Sequence, residues 1–255
     1  MAKKCFLLKH IKMNLFHPSD YHLPGFYYFT SNNLFQIRKK QQKLLRLLKA
    51  QGFEEYHFPF LVPNELLEKY GTVISKENYI RVFSGKNKRA CYYIRPQAIF
   101  CQSLPLVSTL IKSYKDLPLK MLEASPEFKK VGLKEKIDLL NSPEESFAIQ
   151  GAIFSENEND DVEKHVLSLS REILKRFNIN KFGISRKKFG RAEYIEFYTK
   201  QDKREIVLIK LFDLRNLICQ RANIYYFNEK SQLIFPKMYS FSFSQNILLL
   251  GKYKR

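Results

Sequence analysis

"SFSFSQNILLL", residues 240–250, reads as a short strand that opens directly into an apolar helix. Serine and phenylalanine alternate from Ser240 to Ser244, so the serines share one face of the strand while Phe241 and Phe243 take the other. Small residues let a backbone come close to whatever lies on their face. Three of them at a strand-to-helix turn, followed by Gln245 rather than a cation, raise the question of what this face is built to receive.

Working back along the chain, residues 193–198, 204–212 and 223–228 have strand character. "NENDDVEKHVLSLSREILKRFNI" predicts a helix, with acids in its first turn and basic residues near its end. Val162, His165, Val166, Leu169, Ile173 and Leu174 fall on one face of it, and His165 reads as a partly covered surface residue rather than a ligand. "SFAIQGAIF" (146–154), "LPLKMLEAS" (117–125) and "ACYYIRP" (90–96) read as strands, and 129–146 as a polar loop broken by Pro143. "GFYYF" (25–29) is strand-like. A helix capped by Ser31 or Asn32 carries Leu34, Ile37, Leu44, Leu45 and Leu48 at helical spacing and stops at Gly52. "FEEYHFPFLVP" predicts a strand interrupted by Pro59, hence an edge or an interface, with a short helix near 65–70 after it. Helices and strands do not alternate regularly, which disfavours a doubly wound sheet. The expected class is α+β: a mixed, mainly antiparallel sheet flanked by helices.

Forty-four Lys and Arg against twenty-five Asp and Glu give a net charge of +19. The excess is confined to the ends: ten basic residues and one acid in 1–50, sixteen and six in 181–255. Such a distribution fits a polyanion-facing surface, and equally an A/T-biased genome that inflates lysine. No apolar run approaches the roughly 20 residues that span a bilayer, so no membrane association is expected. Cys5, Cys91, Cys101 and Cys219 are scattered, without a C-x-x-C, which argues against structural zinc and for a reducing compartment. Residues 1–24 read as a basic arm or as a mitochondrial import segment, and 25–255 as the folded domain.

Four stretches, in order, resemble the catalytic domain of class II aminoacyl-tRNA synthetases, the seryl branch most closely. "GFEEYHFPFLVPNELL" is similar to that family's motif 1, whose proline lies at the dimer interface; Pro59 takes that place. "YYIRPQAIFCQSL" is similar to the strand and helix lining the amino-acid pocket, and "DLPLKMLEASPEFKKVG" to the start of motif 2. "REIVLIKLFDLRNLICQRANIYYFNEKSQLIFPKMYSFSFSQNILLL" is similar to the stretch ending in motif 3, and its "CQRANIYYFNEKSQ" segment favours the seryl branch over the prolyl and threonyl ones.

The resemblance also implies departures. In the family, motif 2 has Phe-Arg-x-Glu, with the arginine on the α-phosphate of ATP and the glutamate on adenine. Here Lys129 and Val131 follow Phe128 in those places, so a bidentate fork and a polar reader are both lost. Beyond the loop, Ala148 replaces a glutamate. At motif 3, Ser240, Ser242 and Ser244 stand for small residues and Gln245 for the arginine that covers adenine. Glu205 matches the magnesium- and ATP-facing glutamate. No metal site and no cofactor are expected; ATP and magnesium would be needed only by an active ligase.

The resemblance and its departures together imply a pseudoenzyme, a degenerate seryl-tRNA synthetase-like protein of translation, lacking the tRNA-arm and anticodon-binding domains and mitochondrial in location. It would pair as a homodimer, or as a heterodimer with an active synthetase. Arg38, Lys39, Lys40 and Lys43 on the first helix, and Arg186, Lys187, Lys188 and Arg191, are its candidate RNA contacts. Two alternatives remain open. One is an active divergent ligase for tRNA or a carrier protein, with Lys129 as substitute phosphate ligand. The other is a nucleic-acid-binding accessory subunit of a polymerase or ribosome.

Overall fold

The computed structural model describes residues 15–16, 28–70, 80–83, 90–95, 99–128, 145–156, 161–189, 192–201, 204–215 and 217–252. Lys129, Val131, Arg191 and most of the polar loop at 129–146 lie outside these residues.

A seven-stranded sheet organises the molecule. Its strands are β3 (Glu54–Glu55), β7 (Leu119–Phe128), β8 (Glu145–Ser155), β9 (Gly183–Phe189), β10 (Ala192–Gln201), β11 (Arg204–Asp213) and β14 (Lys237–Ser244), in the order β3-β7-β8-β14-β11-β10-β9. Every pairing is antiparallel except that of the two-residue edge strand β3 on β7. A second sheet of three strands joins β4 (Leu61–Pro63), β5 (Ile80–Phe83) and β6 (Ala90–Ile94). Two small ribbons pair β1 (Leu15–Phe16) with β2 (Tyr28–Phe29), and β12 (Tyr226–Phe227) with β13 (Leu233–Ile234). The architecture is the expected mixed α+β one.

The back of the large sheet is apolar. Helices α1 (Ser31–Lys49), α4 (Asp161–Arg176) and α6 (Gln245–Leu250) cover it, burying Leu44, Leu48, Ile173, Leu174 and Ile247 against Ile149, Phe197, Phe241 and Phe243. Gly52, with φ +83°, lets the chain leave α1 and turn into the sheet, a conformation that side chains resist. One half of the front is covered too. There α2 (Asn64–Tyr70), α3 (Ile99–Leu110) and α5 (Leu217–Ala222), with the three-stranded sheet, bury Met121, Ala152, Phe154 and Met238. The other half of the front is polar, and the candidate site lies there.

Three differences from the sequence expectation have physical causes. The strand expected across 53–63 is split into β3 and β4 by an irregular stretch containing Pro59, which has no N–H for a ladder. Of 223–228 only Tyr226–Phe227 is strand, because Asn223 adopts φ +53° directly after α5. Strand β9 is an edge strand whose Arg186, Lys187 and Lys188 hide its alternation, as charges on edges commonly do.

Candidate functional site

Strand alternation sends Phe241, Phe243 and Ile149 backwards and leaves Ser240, Ser242, Ala148 and Gln150 on the front. Because the registers match, a row of polar residues crosses the sheet. Glu123 stands opposite Gln150, Gln150 opposite Ser242, Ser242 opposite Lys210, Lys210 opposite Glu196, and Glu196 opposite Ser185. Neighbours in such a row are about 5 Å apart, close enough to bond.

The row is anchored at one end by a buried ion pair. Arg95, at the end of β6, donates from Nη1 and Nη2 to Glu123 at 2.7 Å each, with both side chains almost wholly buried. Glu123 also accepts from the Phe58 N–H at 2.9 Å, and His57 Nδ1 lies 3.3 Å from it. The Arg95 guanidinium sits 4.9 Å from the Phe60 ring centroid. This one carboxylate therefore ties the irregular stretch after β3 and the small sheet to the large one.

In the middle stands Glu127, which accepts from Gln150 Nε2 and, at 3.4 Å, from Ser242 Oγ. Burial pushes its carboxyl up to about 7, with Gln150, Lys210, Ser242 and Arg95 pulling the other way. At the far end Glu196, itself buried, receives Lys187 and, at 3.5 Å, Lys210. The hydrogen bond that Lys187 donates to Glu196 holds its ammonium above the usual range, against the cost of burial and with help from the charge of Glu196 and from Tyr194 and Glu205.

A proton at Glu127 makes stability pH-dependent in a defined direction. The folded protein keeps this proton up to about pH 7, whereas the unfolded chain loses it near the ordinary value of 4.5. Stability therefore falls as pH rises between those values, and the loss is complete above 7. Glu127 retains some solvent contact, which keeps the effect to about 1–2 kcal/mol. Glu127→Gln removes it. In urea unfolding the variant matches the parent at pH 4.5 and exceeds it by that amount at pH 8; an equal difference at both pH values would contradict this titration.

The other candidate residues are dispersed. Ala148 is buried on the front, opposite Ser244. Gln245, the first residue of α6, turns to the back, where its Oε1 accepts from the Phe147 N–H at 3.3 Å. There it lines a cavity of about 260 Å³ with Leu34, Arg38, Gln41 and Leu249. Glu205 is exposed beside Lys200, 3.8 Å away. Pro59 is exposed. Arg38 and Lys39 are exposed on α1, but Lys40 is half-buried and donates to Leu248 O at 2.6 Å, and burial lowers its pKa. On β9, Arg186 pairs with Glu163 of α4, and Lys188 lies 3.9 Å from Glu193. Among the described residues no group of three or more His, Cys, Asp or Glu is placed to hold a metal, and Cys219 is a buried free thiol.

Ser242 is legible in the sequence as a site residue; Glu123, Gln150, Lys210 and Glu196 are not. Their signal is a single polar residue between apolar ones in the middle of a strand, as in Ile209-Lys210-Leu211 or Ile195-Glu196-Phe197. It becomes a site only once the register aligns the strands.

The fold is that of class II aminoacyl-tRNA synthetase catalytic domains. The prolyl-tRNA synthetase of Giardia lamblia, solved with prolyl-adenylate, superposes with a TM-score of 0.78 over 90% of this chain and 47% of its own, at 17% identity. That of Cryptosporidium parvum, solved with halofuginone and AMPPNP, gives 0.79 over 92% and 48%, at 15% identity. In sequence, a threonine–tRNA ligase of Laribacter hongkongensis is 27% identical over 112 residues, which are 44% of this chain and 17% of the ligase. A proline–tRNA ligase of Kineococcus radiotolerans is 29% identical over 106 residues, 42% of this chain and 18% of the ligase. The chain thus spans less than half the length of the relatives it matches. No family model matches it.

Proposed function

We propose that this chain is a catalytically degenerate member of the class II synthetase group, a mitochondrial protein of translation that uses the retained fold to associate with a partner and with RNA. The supporting observation is the state of three cations on the front face among the described residues. Arg95 is locked on Glu123, while Lys187 and Lys210 both lie on Glu196. Forming an adenylate concentrates charge on a transferring phosphate, and fixed cations aimed at it carry much of the catalysis; losing one such donor costs on the order of 100–1,000-fold. A cation already matched to a buried carboxylate has little field left for a triphosphate. Ala148 offers no polar atom to a base, and the Gln245 carboxamide points to the other side of the sheet.

Partner association draws support from the small sheet. Its outer face presents Leu61, 46% exposed, beside Pro63 and Tyr92, 40% exposed, while Val62 and Tyr93 between them are buried. An apolar sheet face of this kind suits a second copy of the chain or a related synthetase subunit. The seryl branch rests on the approach to the last strand alone, and the relatives found are threonyl and prolyl enzymes.

The test is pyrophosphate–ATP exchange by purified protein with serine, threonine and proline supplied in turn. The expected outcome is no amino-acid-dependent exchange above background. Exchange at ordinary synthetase rates with any of the three would overturn the reading and favour the active ligase.

A further inference from the structure

We propose that the ribbon β12–β13 is a stacking platform for single-stranded RNA, separate from the polar half of the front of the large sheet. The ribbon buries one face and exposes the other. Tyr226 is 2% exposed in the core between the sheets, whereas its neighbours Tyr225 and Phe227 are 40% and 48% exposed, and Leu233, opposite Phe227, is 58% exposed. Two aromatic rings and an aliphatic side chain thus stand outward within nine residues of chain, while the other exposed large apolar side chains among the described residues lie on separate elements or on the small sheet.

Rigid backing makes this more than an exposed loop. The Phe227 N–H donates to Lys112 O at 3.0 Å, and Ser113 forms a parallel bridge with Phe227, so the segment after α3 lies alongside β12. At the tip, Asn228 Oδ1 accepts from the N–H groups of Lys230 and Gln232 at 3.0 and 2.8 Å, which fixes the turn. Asp116 fixes the adjoining turn in the same way, accepting from the N–H groups of Lys112 and Ser113.

The charge around the rings selects the occupant. Lys112, Lys115 and Lys230 are exposed about the ribbon, against Asp116 and Glu229, in a chain of net charge +19. Aromatic faces flanked by lysines match an unpaired polyanion, whose bases stack on rings while its phosphates meet the cations. A duplex hides its base faces and would gain only the charge term.

This surface deepens the RNA half of the proposed function and needs nothing of the nucleotide chemistry. Fluorescence anisotropy with a labelled 12-mer of uridylate, at 50 and 200 mM salt, tests it. The double variant Tyr225→Ala, Phe227→Ala is expected to bind at least 10-fold more weakly, since it removes both rings on which bases would stack. Phe35→Ala, which removes a ring 60% exposed on α1, binds as the parent does. Neutralising Lys112, Lys115 and Lys230 with glutamine lowers the slope of log affinity against log salt by about 2. If the parent binds and the double variant binds equally well, the platform is overturned while RNA association stands. If the parent binds no oligonucleotide, both fall.

Discussion

Arg95→Met destabilises the protein by about 3–5 kcal/mol, the usual consequence of leaving a buried charge without its partner. Glu123 is 1% exposed, and its carboxylate is met by two guanidinium bonds of 2.7 Å. Methionine fills most of the arginine's volume, so the variant isolates the charge from the packing. What remains for Glu123 among the described residues is the Phe58 N–H and the exposed His57, too little for a carboxylate out of water. The double variant Arg95→Met, Glu123→Leu recovers most of the loss, because an apolar pair of similar volume carries no desolvation cost. Urea unfolding of the two single variants and the double gives the coupling directly. An Arg95→Met protein within 1 kcal/mol of the parent would show that the pair does not hold the small sheet to the large one. Loss of that anchor also frees the start of the polar row, so the variant's Glu127 titrates differently from the parent's.

The same residues show why some of this molecule can be read in advance. Helices α1 and α4 are legible because their apolar residues recur at the period of a helix over many turns. Strands β7, β8 and β14 are legible because they alternate or run apolar between breakers. β9 is not, since the charges of Arg186, Lys187 and Lys188 belong to an edge strand facing water and to partners on α4 and β10. Helix α5 is six residues long, too short for a period to declare itself. The site follows the same division. Serine at 242 is visible as a small residue in a strand, but its meaning depends on Gln150 and Lys210 standing opposite it, and registers between distant strands are not written locally. The orientation of Gln245 is equally beyond reach, because the strand gives way to a helix just before it and alternation no longer applies.

Gly151→Ala is the second large effect expected, and it acts from beneath the row. The added methyl would lie within 2.6 Å of the three carbons at the tip of the Phe241 ring, which reaches over the glycine across the β8–β14 pair. That ring has nowhere to go. It meets Phe53 edge-on at 5.3 Å and Phe243 at 5.2 Å, and all three are buried. Alanine is intrinsically favoured over glycine in a strand by about 0.5–1 kcal/mol, so the substitution begins with an advantage. Overpacking a rigid core costs about 1–3 kcal/mol or more and outweighs it. The expected net loss is about 2 kcal/mol for alanine, and Gly151→Val prevents folding. Phe241→Leu in the same chain relieves the clash, so the double variant loses less than the two single changes combined. The consequence reaches the front face, because Gln150 and Ser242, which hold Glu127, flank the contact on the two strands. Strands pushed apart there weaken both bonds and move the titration of Glu127 away from about 7. A Gly151→Ala protein with parental stability and an unchanged pH profile would mean that the Phe241 ring is not what sets the spacing of β8 and β14.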